Sequence, residues 1–226
     1  MKMVLLGRGK TGVLVADVAR HRGHEVRVLG AADNPAAKAL TKQLLSDVEV
    51  AIDFTAPDAV LGNIRRCVET RTPLVVGTTG WYFEIPAIRE MVEKADASLL
   101  YAANFSIGVN LFFDIVRSAA PALRYGYSGH ITEKHHVHKK DAPSGTAVAI
   151  RNVIKDAAGH EPEIASVREG DIVGTHILSL DSPADTITLI HEAKSRRGFA
   201  EGAVRAAEWL PGHKGFFDFK DVFREM

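Results

Sequence analysis

The sequence predicts an α/β fold in which a doubly wound parallel sheet is joined to a second, α+β domain. In the first hundred residues, short apolar runs alternate with helical patterns, as they do in βαβ units. A glycine-rich turn separates the first apolar run from the first helix. After Asn104 the strand patterns no longer have regular helical crossovers, which is typical of an α+β arrangement. The chain has 226 residues, 46% of them hydrophobic, enough to bury the core of one large or two small domains.

Turn residues mark the ends of the elements in the first hundred residues. Gly7 ends the first apolar run, Gly23 stops the first helix, and Pro57 suits the first turn of the next helix. The predicted strands are Lys2–Leu6, Glu25–Leu29, Val48–Phe54, Leu74–Thr78 and Ser98–Ala103. The predicted helices are Val13–Arg22, Pro57–Glu69 and Glu84–Ala95.

The remaining chain opens with a predicted helix, Ser106–Ala119, and contains another that begins near Ser144. A last helix, Ala200–Leu210, is expected to return to the first domain. Four strands are predicted between these helices: Ser128–Val137, Ile164–Arg168, His176–Leu180 and Thr186–His191. We therefore expect a first domain of residues 1–105 completed by 197–226. The second domain, 106–196, is expected to have a sheet face that is exposed or covered by a partner.

Charge and cysteine content exclude several classes of protein. Lys+Arg and Asp+Glu both number 28, so no overall field attracts the chain to nucleic acid or to anionic lipid. No apolar run approaches the roughly 20 residues that span a membrane. The single cysteine, Cys67, cannot form an internal disulfide, which fits a cytoplasmic protein.

The segment Gly7–Gly12 fits the pattern G-x-G-x-x-G between a strand and a helix. In that context the first glycine makes the turn, the second lets the backbone approach a pyrophosphate, and the third lets the helix pack on the strand. The alternative is an ordinary glycine turn. The context favours a Rossmann-type dinucleotide-binding domain.

The end of the second strand leaves the choice of dinucleotide open. An acidic residue there favours NAD and an arginine favours NADP, but Gly30–Ala32 contains neither. Asp33 could reach the ribose or simply begin a turn, and Lys10 could neutralise a 2′-phosphate. Gly77–Gly80 and Ala102–Phe105 follow two further strands, where small residues would let a nicotinamide ring lie close or would form ordinary turns.

The most informative segment is Glu133–Ala147, which reads Glu-Lys-His-His-Val-His-Lys-Lys-Asp-Ala-Pro-Ser-Gly-Thr-Ala. Its imidazoles can exchange protons near neutral pH, and the helix start near Ser144 favours an anion. Together they suggest a site for a small carboxylated substrate. Solvated surface histidines are the plain alternative. A metal site lacks nearby ligands with zinc-type spacing, and a nucleic-acid patch lacks interleaved aromatic residues.

These segments resemble the 4-hydroxy-tetrahydrodipicolinate reductases, also called dihydrodipicolinate reductases, of bacterial and plant lysine and diaminopimelate biosynthesis. The resemblance runs nearly from end to end, and the pattern Glu-x-His-His-x-x-Lys-x-Asp-Ala-Pro-Ser-Gly-Thr-Ala is highly specific. The other matching segments are Gly7–Gly12, Ala51–Thr55, Gly77–Gly80, Ala103–Asn110, Gly170–Gly174 and Phe199–Ala203.

The resemblance implies roles for individual residues and an oxidoreductase that uses NADH or NADPH. His135 would be the general acid/base, and Lys139 a second proton donor. The substrate, a cyclic imine dicarboxylate, would be bound by His136, Ser144, Gly145 and Thr146. The cofactor would be bound by Gly7, Gly9, Lys10, Thr11, Gly12, Gly77, Thr78, Thr79, Ala102, Ala103, Asn104, Phe105, Arg196 and Phe199. No metal is expected, and the resemblance implies a homotetramer formed through the sheet of the second domain.

Two other functions remain open at this point. One is a non-catalytic protein that senses the redox state of a dinucleotide, which replacement of His135 or Lys139 would favour; both residues are present. The other is an amino-acid dehydrogenase built on the same two-domain plan. Activity on an open-chain amino acid would favour the dehydrogenase.

Overall fold

The computed structural model describes residues 1–226 and consists of two compact units. The first unit comprises Met1–Ile107 and Arg197–Met226, and the second comprises Gly108–Arg196. None of the helices is both long and apolar enough to cross a membrane.

Strands and helices alternate along the first unit, whereas the second unit combines four strands with two long helices. The strands are β1 (Lys2–Leu6), β2 (Glu25–Leu29), β3 (Val50–Asp53), β4 (Leu74–Val76), β5 (Ser98–Tyr101), β6 (Ser128–His135), β7 (Glu163–Arg168), β8 (Thr175–Asp181), β9 (Thr186–Glu192) and β10 (Gly215–Asp218). The helices are α1 (Lys10–His21), α2 (Lys42–Leu45), α3 (Pro57–Thr70), α4 (Ile85–Lys94), α5 (Ile107–Ala119), α6 (Gly145–Ala158), α7 (Arg197–Trp209) and α8 (Phe219–Val222).

The first unit contains a six-stranded parallel sheet in the order β10-β5-β4-β3-β1-β2. The chain moves outward from β1 in both directions, so the order reverses between β1 and β3. Ligands bind at such a reversal, outside the carboxyl ends of the strands. The predicted doubly wound parallel sheet is confirmed, with β10 as an additional strand beside β5 that the sequence pattern did not reveal.

Helices cover both faces of this sheet because its strands are apolar on both sides. Met3 and Leu5 face the layer that contains α1 and α7, whereas Val4 and Leu6 face the layer that contains α3 and α4. Small residues of α7 pack in the first of these layers: Ala200, Ala203, Val204, Ala206 and Ala207. The sheet is therefore buried on both faces, and the loops at its carboxyl edge extend from a closely packed core.

The second unit contains a four-stranded mixed sheet in the order β7-β6-β8-β9. β6 pairs with β7 in parallel and with β8 in antiparallel orientation, and β8 pairs antiparallel with β9. Apolar side chains from α5 and α6 pack on one face of this sheet around the buried residues Ile131 and Leu178. The predicted α+β character of this part of the chain is confirmed.

Candidate active site and nucleotide cleft

The carboxyl edge of the first sheet carries a cleft of about 280 Å³. It is formed where the loops after β1, β3 and β4 meet at the reversal of strand order. Its lining comprises Gly9, Lys10, Thr11, Gly12, Phe54, Thr55, Pro57, Gly77, Thr78 and Thr79. The structure therefore brings together seven of the residues that the sequence assigned to a cofactor, and it adds three residues that follow β3.

The glycine loop runs close to neighbouring backbone at Gly7 and Gly12 and is open at Gly9. Gly7 has φ +106°, and a Cβ atom there would lie 2.1 Å from the carbonyl oxygen of Phe54. A Cβ atom at Gly12 would lie 2.4 Å from the carbonyl oxygen of Gly7, so a side chain would separate α1 from the strand. Gly9 caps α1, and a Cβ atom added at this position would meet no other atom within 4 Å. The first turn of α1 contains no acidic residue, so its free N–H groups can receive an anion.

A buried carboxylate, Asp53 at the end of β3, connects two of the cleft loops. It accepts hydrogen bonds from the hydroxyl groups of Thr55, at 2.7 Å, and Thr78, at 2.6 Å. It also accepts one from Asn63 Nδ2 at 2.7 Å and one from the Thr55 backbone at 2.9 Å. Each buried acceptor position is thus satisfied by a donor, which fixes the loops after β3 and β4 relative to each other.

The loop after β5 lies beside the same edge. Ala102 is buried and donates its backbone N–H to Val76, and the ring of Phe105 lies 6.1 Å from the ring of Phe54. A Cβ atom at Gly202 of α7 would lie 1.8 Å from the carbonyl oxygen of Phe105, so α7 approaches this loop through a glycine. Asn104 accepts a hydrogen bond from the backbone of Ser106 at 2.8 Å.

The end of β2 is occupied by a side chain that the sequence reading missed. Arg8 extends from the glycine loop across Gly30, where a Cβ atom would lie 3.1 Å from Arg8 Cδ. Its guanidinium group forms an ion pair with Asp33 at 2.9 Å, and Asp33 also accepts a hydrogen bond from the Gly30 backbone. A cation and a carboxylate therefore stand together where the adenosine ribose is read in dinucleotide folds.

In the second unit, the buried carboxylate of Glu133 organises the histidine segment. His135 Nδ1 is hydrogen-bonded to Glu133 Oε2, and the two Nη atoms of Arg168 donate to the same carboxylate at 3.0 and 2.8 Å. Burial raises the pKa of Glu133, but hydrogen bonds from Arg168, Ser166 and His135 outweigh that effect and hold the pKa at about 2. Burial lowers the pKa of His135, and the Glu133 carboxylate opposes that shift.

Ser144 is buried and caps α6, with its Oγ accepting a hydrogen bond from the backbone of Ala147 at 3.2 Å. The same oxygen lies 3.2 Å from Nε2 of His176, a buried histidine on β8. Burial lowers the pKa of His176 to about 4, and the charges of His135 and His191 act in the same direction. At neutral pH the imidazole of His176 is therefore uncharged, and it contacts the residue that caps α6.

The other residues that the sequence assigned to proton transfer or to substrate lie in the loop after β6 and at the start of α6. Lys139 Nζ donates to both oxygens of Asp141 at 2.8 Å. A Cβ atom at Gly145 would meet nothing within 4 Å, so the first backbone groups of α6 are approachable from outside. His136 Nε2 lies 3.3 Å from a guanidinium nitrogen of Arg196, and Phe199 lies in the first turn of α7. Arg196, which the sequence assigned to the cofactor, thus contacts a residue assigned to the substrate.

Sequence reasoning assigned no role to Glu133, Arg168 and His176, although a signal existed for one of them. Glu133 precedes His135 by two residues on a strand, so both side chains must lie on the same face of the sheet. The Arg168 contact depends on the pairing of β6 with β7, which places Arg168 opposite His135. No local pattern reveals that register.

Comparisons with known proteins bear on both units. The family profile described as "Dihydrodipicolinate reductase, N-terminus" matches residues 1–105, and the profile described as "Dihydrodipicolinate reductase, C-terminus" matches residues 108–223. The chain is 37% identical over 242 aligned positions to a 4-hydroxy-tetrahydrodipicolinate reductase of Christiangramia forsetii, covering 100% of this chain and 99% of that protein. It is 40% identical over 200 positions to the protein of that name from Neisseria meningitidis, covering 79% and 74%.

Solved structures agree on the architecture. A dipicolinate-bound dihydrodipicolinate reductase from Paenisporosarcina superposes with a TM-score of 0.82 at 22% identity, covering 98% of this chain and 99% of that one. A diaminopimelate dehydrogenase of C. glutamicum superposes with a TM-score of 0.54 at 15% identity, covering 98% and 93%. These likenesses show a shared fold. The two family profiles together with the relatives in sequence show that this chain belongs to the dihydrodipicolinate reductase family.

Proposed function

We propose that this protein is an NADH- or NADPH-dependent 4-hydroxy-tetrahydrodipicolinate reductase of lysine and diaminopimelate biosynthesis. The observation that supports the proposal most directly is the placement of His135. Its Nδ1 is held by a buried carboxylate, and the capping residue of α6, Ser144, contacts the same carboxylate through its backbone N–H at 3.2 Å. A proton donor and a carboxylate-binding helix start are thereby supported by one buried group.

The first unit supplies the nucleotide cleft in this proposal. The open backbone at Gly9 and the start of α1 suit a pyrophosphate, and Lys10 and Arg8 add positive charge at the same loop. Gly77, Thr78 and Thr79, together with Ala102–Phe105, would hold the nicotinamide end. When bound, the nicotinamide supplies a hydride, which carries two electrons to the substrate.

His135 would supply the proton that completes the reduction. The hydroxyl group and a hydrogen of the adjacent ring carbon would leave the substrate together as water, which gives a conjugated cyclic imine. Hydride then adds to a ring carbon, and a proton from His135 adds to the neighbouring carbon. Lys139 would exchange its contact with Asp141 for a substrate carboxylate, and the N–H groups of Gly145 and Thr146 would bind that carboxylate at little reorganisation cost. His136 and Ser144 would complete the substrate contacts.

We further propose a homotetramer that assembles in the cytoplasm through the outer face of the second sheet. Thr132, Ile177 and Ile190 lie side by side in the paired strands, in the row adjacent to the buried Ile131 and Leu178. Side chains alternate between faces along a strand, so this row lies on the face opposite the helices. Ile190 is 60% exposed in the single chain. Replacement Ile190→Lys should shift the sedimentation coefficient towards a smaller species, whereas an unchanged assembly would exclude this face.

The reductase activity is tested by following NADH and NADPH oxidation with the cyclic imine dicarboxylate generated enzymatically in the same assay. We expect turnover that requires this substrate, and we expect His138→Ala, a change of an exposed neighbouring histidine, to leave it intact. If the folded protein oxidises neither cofactor, the reductase function is excluded and a non-catalytic dinucleotide sensor is the remaining interpretation. Turnover of an open-chain amino acid instead would identify a dehydrogenase.

A further inference from the structure

Glu133 lies at the centre of the histidine cluster of the second unit, and its side chain is fully buried. Oε2 accepts from His135 Nδ1 and from Arg168 Nη1, whereas Oε1 accepts from Arg168 Nη2 and from the Ser144 backbone. One carboxylate is thus in contact with the proposed proton donor and with the residue that caps α6. Movement of Glu133 would displace both.

The contact with Glu133 determines which imidazole nitrogen of His135 can act. An ionised carboxylate only accepts hydrogen bonds, so Nδ1 must carry a proton. Nε2 is then the nitrogen that gains and loses the exchangeable proton. The charged or titratable groups that face His135 are Glu133 on its own strand, Arg168 on β7, His176 on β8 and Lys139 in the following loop.

A second observation concerns the space beside Nε2. A Cβ atom at Gly174 would lie 3.0 Å from Nε2 of His135 and 3.4 Å from its Cδ2. The backbone of Gly174 does not adopt a positive φ, so glycine is not required there for conformational reasons. The missing side chain leaves Nε2 approachable, and the backbone carbonyl of Gly174 is fixed by a hydrogen bond from Ala193 at 2.8 Å.

We propose that Glu133 is a positioning residue for proton transfer: it fixes His135 with Nε2 as the acting nitrogen and keeps the start of α6 in register with it. Gly174 keeps that nitrogen accessible. The inference rests on the proposed reductase function and names which atom of that site delivers the proton. Arg168 holds Glu133 from the other side, so the carboxylate has one orientation.

The first test is Glu133→Gln, which keeps the shape of the side chain. The amide NH2 group can donate to Nδ1 and reverse the tautomer of His135. We expect kcat to fall by roughly 10²-fold, within the range that a lost general acid costs, with the KM for NADH within about threefold of wild type. Since the opposing charge is removed, the alkaline limb of kcat/KM should also move to lower pH by roughly 1–3 units. Glu161→Gln, which removes an exposed carboxylate paired with Lys155, is the matched control. It should change neither kcat nor the position of the alkaline limb.

Nitrogen NMR of histidine-labelled protein reads the tautomer without turnover. In wild-type protein, Nδ1 of His135 should carry the proton at neutral pH, and in Glu133→Gln that preference should be lost. Gly174→Ala should preserve the tautomer but lower kcat at least roughly tenfold, because the added methyl group covers Nε2. The wild-type tautomer and the kcat of Gly174→Ala test the proposed role of Nε2 even if Glu133→Gln fails to fold.

The inference is overturned if wild-type His135 carries its neutral-pH proton on Nε2 alone, or if folded Glu133→Gln or Gly174→Ala retains kcat within about threefold of wild type. Failure of the proposed function has a different signature. Wild-type protein would then show no turnover, while its NMR spectrum would still report whether Glu133 holds Nδ1.

Discussion

His176→Gln should remove a pH dependence from the stability of the second unit. His176 is buried on β8, and its pKa is lowered to about 4, chiefly by burial. In an unfolded chain its pKa is near 6.5. Above pH 6.5 the imidazole is neutral in both states and adds no pH dependence. Between pH 6.5 and 4 the unfolded chain binds a proton that the folded chain does not bind, so the free energy of unfolding falls as the pH falls.

The size of the effect follows from the two pKa values. Each pH unit inside that window costs at most about 1.4 kcal/mol, so His176 should remove roughly 2.5 kcal/mol between pH 7.5 and 4.5. Below about pH 4 both states are protonated and its contribution no longer changes. Glutamine cannot bind this proton, and its amide can still reach Ser144 Oγ. The variant should therefore lose less stability on acidification than the wild type does.

Amide hydrogen exchange along β8 is the suitable assay, because both tryptophans, Trp81 and Trp209, lie in the first unit and report little on the second. Protection factors converted to opening free energies at pH 7.5 and 4.5 give the required difference. His160→Gln, a change of an exposed histidine, is the matched control and should keep the wild-type pH dependence. If His176→Gln and wild type lose the same stability to within about 0.5 kcal/mol, the assignment of the low pKa to His176 is wrong.

Three further predictions concern the active site and the nucleotide cleft. His135→Ala or Lys139→Ala should each lower kcat by roughly 10²–10⁴-fold, while NADH binding followed by fluorescence stays nearly constant; near-normal kcat would show that the proton donor lies elsewhere. NADH and NADPH should differ by less than about 100-fold in kcat/KM, or about 2.7 kcal/mol, and Arg8→Ala should shift that ratio roughly tenfold towards NADH. An unchanged ratio would remove Arg8 from the ribose subsite. Gly77→Ala places Cβ 2.2 Å from the ring of Phe54, so the KM for NADH should rise more than about tenfold, and an unaltered KM in folded protein would contradict this steric reading.

Much of the first unit could be predicted because its strands and helices differ in the period of their apolar residues. The exception is β10, which has four residues and follows Pro211-Gly212 without an alternating pattern. It is a strand because its backbone pairs with β5, and pairing partners distant in sequence leave no local signal. Some observed ends of strands and helices also differ from the predicted ends by a few residues, because contacts with distant segments determine where the element stops. The third strand ends at Asp53 rather than at Phe54, since the Asp53 carboxylate starts the hydrogen-bonded loop.

The candidate site was only partly predictable. Segments rich in titratable side chains, such as the one that contains His135 and Lys139, can be recognised from the sequence because their residues lie close together in the chain. The Arg8 side chain could not be placed, because only the folded loop carries it over the end of β2 to Asp33. Arg168 likewise reaches Glu133 through strand register. Sequence patterns reveal which groups are present, whereas their partners depend on the pairing of distant segments.

The return of the chain to the first unit has a consequence for synthesis on the ribosome. β1 and α1 emerge first, but α7, which packs in the same layer as α1, and β10, which completes the sheet edge beside β5, are among the last parts to emerge. Until then one face of the nascent sheet and its β5 edge lack their final cover, and such surfaces favour aggregation. A prematurely terminated chain would thus carry the complete glycine loop on an unfinished domain. A nascent chain that ends before α7 would therefore contain His135 and Lys139 and still lack a finished first unit.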